Sequence, residues 1–401
     1  MRRMLAGICV LLIGAVAQAS SFSPERLQRV DQFVERAIEA GEIAGAVTLV
    51  AQNGRIVHLK AHGFMDKASR KPMRTDTLFR IASMTKPVAG VALMMMIEEG
   101  KVRLNDPVSR FLPSFRNQMV AVPRDGGDYY TVPADREITV FDLLTHTSGL
   151  MSGPIGNAAG GKAYESRLTV GLKWVDELGK TPLEFQPGSR WAYSPFAGFN
   201  VVARIVEIAS GQDFNTFTRE RIFKPLGMKE TFYWPTDEQR ARLATVYERP
   251  GGKGELQVLA NPDSGSSPVY FSGSGGLMTT AENYARFAMM LANGGELNGT
   301  RILGERSVEM LRSAHIPDTL PGRRPGESFG LSVRVVTNPA ARRTMISEGS
   351  FGWSGAYGTH FWVDPKEKIV AIFMTQRWGF SPSSDFPSVD FETAVMQALV
   401  D

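Results

Sequence analysis

The sequence predicts an α+β fold: a mixed, mainly antiparallel sheet assembled from both ends of the chain, flanked by helices, with a mostly helical region inserted between them. Three observations carry this. Strand-like runs fall at 45–51 and 55–63 near the start, and at 331–336, 358–363 and 369–375 near the end. Between them helical spacing dominates. The chain also opens helix–hairpin rather than strand–helix–strand, which excludes a doubly wound parallel sheet.

Taken in order, Ser23-Pro24-Glu25-Arg26 opens a helix, with Pro24 at a favoured first-turn position. Leu27, Val30, Val34, Ala37 and Ile38 recur at helical spacing and form its packing face. Residues 45–51 read as a buried strand, Asn53-Gly54 as a two-residue turn, and 55–63 as the antiparallel partner. Residues 88–99 are apolar almost throughout until Glu98-Glu99, so that helix is expected to be central and buried, and Gly100 stops it. The stretch 116–136 is rich in Pro, Gly and Asp and predicts an exposed loop at a cleft rim. Residues 139–149 read as a capped helix ending on a glycine turn, and helix or loop without a strand pair continues to about 184. An apolar helix at 197–210 is closed by Gly211, and Asp213 caps the next, which runs to Phe223. Residues 250–254 and 261–268 read as flexible loops, and 280–291 and 307–314 as helices. Asp364-Pro365-Lys366-Glu367 turns between the last two strands, and 391–400 forms a closing helix.

The 401 residues suffice for one large domain or two interleaved lobes, and 43% hydrophobic with 21% charged residues is ordinary for a globular enzyme. The formal charge of +4 includes Arg2 and Arg3, and the basic pairs Arg323-Arg324 and Arg342-Arg343 are small, so nucleic acid is not an expected partner. Arg2-Arg3, an apolar run over 4–16 and Ala17-Gln18-Ala19 have the order of a cleaved secretory signal over 1–19. The run is short for a membrane span. The only cysteine, Cys9, falls inside it, so the mature chain 20–401 has no thiol chemistry and no disulfide. The expectation is a periplasmic or secreted protein without a stable membrane anchor. Its sheet lobe comes from about 20–80 and 270–401, and its helical lobe from about 87–269.

Three stretches carry residues for chemistry. Ile81-Ala82-Ser83-Met84-Thr85-Lys86-Pro87 places a serine and a lysine three apart at the start of the central helix. Residues three apart share a helix face, so the amine comes within reach of the hydroxyl. Pro87 is tolerated because first-turn N–H groups have no intrahelical acceptor. A serine becomes a competent nucleophile once its proton is taken, and a lysine held neutral by burial can take it. The helix N-terminus adds N–H groups suited to an oxyanion. The same four residues also fit a serine cap before a surface lysine.

The second stretch, Gln186-Pro187-Gly188-Ser189-Arg190-Trp191-Ala192-Tyr193-Ser194-Pro195, holds Tyr193 in a rigid loop before a helix. There it is either a core tyrosine or a proton relay beside a lysine. The third, Gly349-Ser350-Phe351-Gly352-Trp353-Ser354-Gly355-Ala356-Tyr357-Gly358, brings small residues before a strand, where backbone can approach a ligand and offer a free N–H.

The order Ser-x-x-Lys, Tyr-Ser-x, Trp-Ser-Gly resembles the serine β-lactamase-related hydrolases. It is similar, more narrowly, to the family VIII carboxylesterases, which have a class C β-lactamase-like fold. The resemblance runs from about Ser23 to Asp401 and takes in Asp142-Leu-Leu-Thr-His-Thr-Ser-Gly149, Lys224-Pro-Leu-Gly-Met228 and Gly273-Ser-Gly-Gly-Leu277. It implies a β-lactamase/transpeptidase-like sandwich in which Ser83 forms an acyl-enzyme. Lys86 and Tyr193 then act together as base and acid, and the Ser83 and Ala356 N–H groups form the oxyanion hole. Trp353, Ser354 and Gly355 bind substrate, and no metal or cofactor takes part.

Two departures from the β-lactamase pattern shape the expected substrate. Where Tyr-x-Asn is usual the third place is Pro195, which has no side-chain amide, and Trp353 replaces the lysine of Lys-Thr-Gly. Both favour small neutral esters, with short to medium acyl groups, over β-lactams and peptides. Arg377 or His360 in the lost cation's place would leave a route to β-lactam turnover. The alternatives are a β-lactamase or D-Ala-type peptidase, and a penicillin-binding-like protein that acylates without turnover.

Other constellations are weaker. Asp142, His146 and Ser148 contain the residue types of a triad but crowd one helix end, and read as capping and packing. Gly352-Trp-Ser354-Gly-Ala356 lacks the last glycine of a nucleophile elbow. His58 and His62 share a strand face without a third metal ligand, and His315 adds none. Met94-Met95-Met96 reads as core filling.

Overall fold

Strands from the two ends of the chain meet in one antiparallel sheet. The structure, a computed structural model, describes residues 21–252, 254–380 and 387–400; the segment 1–19 read as a signal peptide lies outside them. The elements that build the site are α1 (Pro24–Glu39), β1 (Gly45–Gln52), β2 (Arg55–Asp66), β3 (Lys71–Pro72), α2 (Thr85–Glu98), α3 (Val140–Thr145), α4 (Gly198–Ser210) and α5 (Ala281–Ala292). They continue with β4 (Glu327–Phe329), β5 (Arg334–Val336), β6 (Phe351–Ser354), β7 (His360–Asp364), β8 (Ile369–Met374) and α6 (Ser388–Met396). The sheet order is β4-β5-β6-β7-β8-β1-β2-β3, and every pairing in it is antiparallel. The seam between the chain's two ends is β8 against β1, with Ile372 opposite Leu49.

β8 reads as an unbroken apolar run because both faces of the sheet are covered. Successive side chains alternate between faces. Ile369, Ala371 and Phe373 pack with Leu27, Val30 and Val34 of α1 and with Phe391 and Val395 of α6. Val370, Ile372 and Met374 join the larger cluster that contains α2 and α5. The α1 helix starts as its sequence predicts: Ser23 Oγ accepts the Arg26 N–H at 3.3 Å, and Pro24 occupies the first turn.

The central helix α2 is buried from Thr85 to Met96, as an apolar sequence without a polar face demands. Gly90 lets the 331–332 segment lie against it; a Cβ there would sit 2.1 Å from Ser332 Oγ.

Several elements differ from the sequence reading. The stretch 116–136 is a β-hairpin, Met119–Pro123 against Tyr129–Pro133, closed by the Asp-Gly-Gly turn. Its inner edge bonds to Leu183, whose N–H donates to Met119 O and whose carbonyl accepts the Ala121 N–H, both at 2.8 Å. Residues 351–354 form the strand β6, in register with β7, with Ser354 opposite His360. Gly352 had obscured it, yet the missing Cβ is what allows the approach, since it would lie 2.1 Å from Phe361 O. The strand read at 331–336 begins only at Arg334, because Ser332 takes a positive φ of 91°. The closing helix spans Ser388–Met396, and Leu399–Val400 instead pair with Ser21–Phe22.

Candidate active site

Ser83 lies in the 3-10 turn Ala82–Met84 that feeds directly into α2, and Lys86 is in that helix's first turn. Their Nζ–Oγ distance is 3.0 Å. Ala82, just before Ser83, has φ +42°, a left-handed conformation that costs an L-residue about 1–2 kcal/mol. The surrounding packing therefore dictates where this serine points.

Lys86 is fully buried, and burial, the largest influence, pushes its pKa below the ordinary lysine value against the opposing effect of Tyr193. Its amine reaches three acceptors: Ser83 Oγ, Pro195 O at 3.1 Å and Ser274 O at 2.8 Å. An ammonium donates to all three. A neutral amine has two N–H bonds and a lone pair. With the two carbonyls taking the N–H groups, the lone pair is directed at the Ser83 hydroxyl. The two carbonyls thus fix the direction of the Lys86 amine. Tyr193 comes from the other side, its hydroxyl donating to Ser83 Oγ at 2.8 Å and its ring centroid 5.0 Å from Nζ.

The loop carrying Tyr193 is tied down on both sides by His146. The Ala192 N–H donates to His146 O at 3.1 Å, and the Ser194 N–H to His146 Nδ1 at 3.2 Å. The His146 ring also packs 4.7 Å from the Tyr193 ring. His146 ends α3 in the left-handed conformation, φ 59°. Burial first, then the Lys86 charge, holds its imidazole well below its usual pKa, so Nδ1 is available as an acceptor. Asp142 is occupied by the Thr139 cap and by Arg136 at 2.6 and 2.8 Å, and Ser148 Oγ accepts the Leu150 N–H at 3.3 Å. The crowded Asp142, His146 and Ser148 thus make separate capping and packing contacts.

The third stretch closes the opposite wall, where β6 runs beside the Ala82–Met84 turn. Gly355 N–H donates to Thr359 O at 2.7 Å, and Thr359 Oγ1 donates to Ile81 O at 3.3 Å. A Cβ on Gly355 would lie 2.3 Å from that same Ile81 carbonyl. This close approach sets exposed Ala356 beside the serine turn. Among the described residues neither the Ser83 nor the Ala356 N–H has a backbone acceptor, which leaves both for an oxyanion. Trp353 is half-buried, its ring 5.4 Å from Tyr193 and 5.2 Å from Phe329.

The two residues considered as substitutes for a missing cation are engaged elsewhere. Arg377 binds the Glu42 carboxylate and donates to Glu42 O at 3.2 Å. His360 lies between Ser354 Oγ at 2.8 Å and Glu392 Oε1 at 3.2 Å, fully buried. His62 turns to Asp31 at 3.1 Å, His58 bonds Thr48 Oγ1 at 2.8 Å, and the Lys60 ammonium fills the other side of Asp31. The His315 ring donates its Nε2–H to Met310 O at 2.8 Å. The Met94–Met96 run lies in the core.

Sequence reasoning missed the two carbonyls that hold Lys86 and the part played by His146. Pro195 was noted only for the amide it lacks. For Ser274 a signal did exist in Gly273-Ser274-Gly275-Gly276. A Cβ on Gly273 would be 2.2 Å from Phe199 O, so only glycine lets this segment approach α4.

A serine hydrogen-bonded to a buried amine and a phenol, on an antiparallel sheet covered by helices, fits one class: serine hydrolases of β-lactamase-like fold. Residues 30–390 match the family model described as Beta-lactamase, and the chain belongs to that family. It is 36% identical over 362 residues to Protein Rv1367c of Mycobacterium tuberculosis, covering 86% of this chain and 88% of that one. To Esterase EstB of Burkholderia gladioli it is 30% identical over 372 residues, covering 86% and 89%. Among solved structures it is similar to EstCE1, titled a hydrolase with promiscuous acyltransferase activity. That match has 26% identity and a TM-score of 0.75, covering 93% of this chain and 98% of that one.

Proposed function

We propose that this serine hydrolase cleaves neutral carboxylic esters through an acyl-enzyme on Ser83. The Ser83 proton passes directly to Lys86 while the Tyr193 hydroxyl stays hydrogen-bonded to Oγ, as Oγ bonds to the ester carbonyl carbon. The resulting oxyanion is met by the N–H groups of Ser83 and Ala356. The proton then returns through Tyr193 to the departing alkoxide oxygen, which leaves as the alcohol. Water attacks the acyl carbon with the same pair as base, and the carboxylic acid departs.

The observation that carries the ester reading is Trp353 against Tyr193, where a cation would be needed to anchor a substrate carboxylate, with Arg377 and His360 both occupied. Exposed aromatics on the neighbouring segments support the same reading. Phe196 follows Pro195, and Trp378 packs 5.6 Å from Tyr357, the residue after Ala356. The likeness to an esterase over most of both chains agrees with it. We propose further that residues 1–19 direct export; N-terminal sequencing of the secreted protein would find Ser20 first.

The test is turnover of p-nitrophenyl butyrate and nitrocefin by the mature protein and by Ser83→Ala. Ester turnover that disappears in Ser83→Ala, with little nitrocefin turnover, supports the proposal. Preferential nitrocefin hydrolysis makes the protein a β-lactamase, and a stoichiometric burst without steady state makes it a binding protein.

A further inference from the structure

The two carbonyls that receive the Lys86 amine belong to distant parts of the chain. Pro195 O is in the loop before α4, and Ser274 O is in the glycine-rich segment 273–276. A side chain behind the lysine sets the spacing between them. Asn200, in the first turn of α4, is fully buried, and its amide bonds to both segments. Its Nδ2 donates to Phe196 O at 2.6 Å and to the Tyr270 hydroxyl at 2.8 Å. Its Oδ1 accepts from Ser272 Oγ at 2.8 Å and from the Gly273 N–H at 3.0 Å.

The partners dictate which way the amide faces. A backbone carbonyl only accepts and a backbone N–H only donates, so Phe196 O meets the NH2 group and the Gly273 N–H meets the oxygen. Both donors and both acceptor sites of the amide are thereby spent. The partners carry this hold onward to Lys86. Ser272 Oγ accepts the Ser274 and Gly275 N–H groups, both at 3.1 Å, which fixes the run whose Ser274 O accepts from Nζ at 2.8 Å. Ser274 Oγ donates across to Phe196 O at 2.8 Å, a second donor on the carbonyl that Asn200 holds. Phe196 directly follows Pro195, whose carbonyl accepts from Nζ at 3.1 Å. Every group in this cradle is uncharged. Among the described residues, the titratable groups that act on Lys86 are the Tyr193 phenol and the His146 imidazole, with no carboxylate beside them.

We infer that Asn200 is a positioning residue for the reaction: it locks the two carbonyls at the separation that holds the Lys86 amine and keeps the cradle around that amine closed to water. This role rests on the proposed passage of the Ser83 proton to Lys86, whichever acyl compound is the substrate. Among the described residues Asn200 bonds neither Ser83 nor Lys86, and it acts through the carbonyls. The place requires an amide. A carboxylate lacks the two donors, and an apolar chain leaves the buried Gly273 N–H without an acceptor. Without the amide the two segments part, water reaches the amine, and the burial that disfavours an ammonium is relieved. The amine then keeps its proton to higher pH, and less of the enzyme holds a base for Ser83 at neutral pH.

The test follows the rate at which a fluorophosphonate labels Ser83, so neither an ester nor a β-lactam is needed. Ser83 Oγ bonds phosphorus, fluoride leaves and the serine proton passes to Lys86, so the rate rises with pH along the Lys86 limb. Peptide mass spectrometry and Ser83→Ala report the labelled site. In Asn200→Leu the midpoint of that limb is expected to rise by roughly one pH unit, which slows labelling about tenfold at a pH below both midpoints. Ser272→Ala, a smaller change in the same cradle, is expected to move the midpoint the same way by roughly half as much, and it decides the outcome should Asn200→Leu not fold. Thr218→Val is the control. It removes a buried bond from Oγ1 to Phe214 O at 2.9 Å, outside the cradle, so it costs stability while its midpoint stays at the wild-type value. A midpoint unchanged in Ser272→Ala and in folded Asn200→Leu, or moved as far by Thr218→Val, overturns the inference. Labelling that persists in Ser83→Ala overturns it together with the reading of Ser83. With the expected shifts, turnover of nitrocefin in place of p-nitrophenyl butyrate refutes the ester reading alone.

Discussion

Gly355→Ala tests the proposed oxyanion role of the Ala356 N–H. The added Cβ would stand 2.3 Å from Ile81 O and 2.2 Å from Thr359 Oγ1. Thr359 can rotate its hydroxyl away, but Ile81 O is backbone and lies two residues before Ser83. Ordinary contact begins near 3.4 Å, so the 355–359 turn and the serine turn must separate by about 1 Å. Gly355 does not have a positive φ, so the effect is steric and not conformational. A displacement of that size costs on the order of 100-fold, and complete loss of one oxyanion donor about 100- to 1,000-fold in kcat, or about 3–4 kcal/mol. Overpacking is expected to lower stability by only about 1–3 kcal/mol. The assay is kcat on p-nitrophenyl butyrate well below the melting temperature, with Gly161→Ala as control, since nothing lies within 4 Å of its new Cβ. Wild-type kcat in a folded Gly355→Ala would refute the placement of Ala356 as an oxyanion donor.

The remaining predictions concern protons and the Tyr193 loop. Activity should rise with pH along a limb that reports loss of the Lys86 proton, with its midpoint below the ordinary lysine value, because burial lowers that group. Lys86→Arg, which stays protonated, should lose roughly 1,000-fold or more in kcat/KM across the whole profile. His146→Leu removes the acceptor for a buried Ser194 N–H and should destabilise the fold by about 1–3 kcal/mol while lowering kcat more than it raises KM. His146→Asn keeps an acceptor and tolerates the left-handed backbone, so it should recover part of both in urea melts and steady-state assays. Burial pushes His58 down to about 4 despite the opposing Asp31 charge, so the unfolded chain binds its proton more readily than the folded one. Its contribution to stability is therefore complete above the unfolded value of about 6.5 and is lost as pH falls toward 4, at no more than about 1.4 kcal/mol per pH unit. Urea midpoints at pH 7 and pH 4.5 for wild type and His58→Gln should show the wild-type loss reduced in the variant.

The legible parts of the molecule were those fixed by local spacing. Ser83 and Lys86 are three apart on a helix start, and the 3.0 Å contact follows from helix geometry. The sheet was legible because β1 and β8 are continuous apolar runs bounded by turns. β6 was not, since its four residues include Gly352 and its pairing partners lie across a turn. The 119–133 hairpin was hidden because its turn residues outweighed two short alternating arms. The carbonyls of Pro195 and Ser274 leave no mark in a sequence, for every residue has one. Glu392 was equally invisible as the partner of His360, because the two meet through a helix packing on a sheet 32 residues further along the chain. His146 was read correctly as a packing residue, but its hold on both neighbours of Tyr193 depends on a loop some 46 residues away.

The central claim is that Ser83 carries the acyl group. The direct measurement is rapid acid quench of the mature protein with p-nitrophenyl butyrate, followed by peptide mass spectrometry. The account predicts one butyryl group, on the peptide containing Ser83, absent from Ser83→Ala and accumulating when deacylation is slowed. A butyryl group on Ser354 or Ser148 instead, or unchanged labelling and turnover in Ser83→Ala, would contradict it.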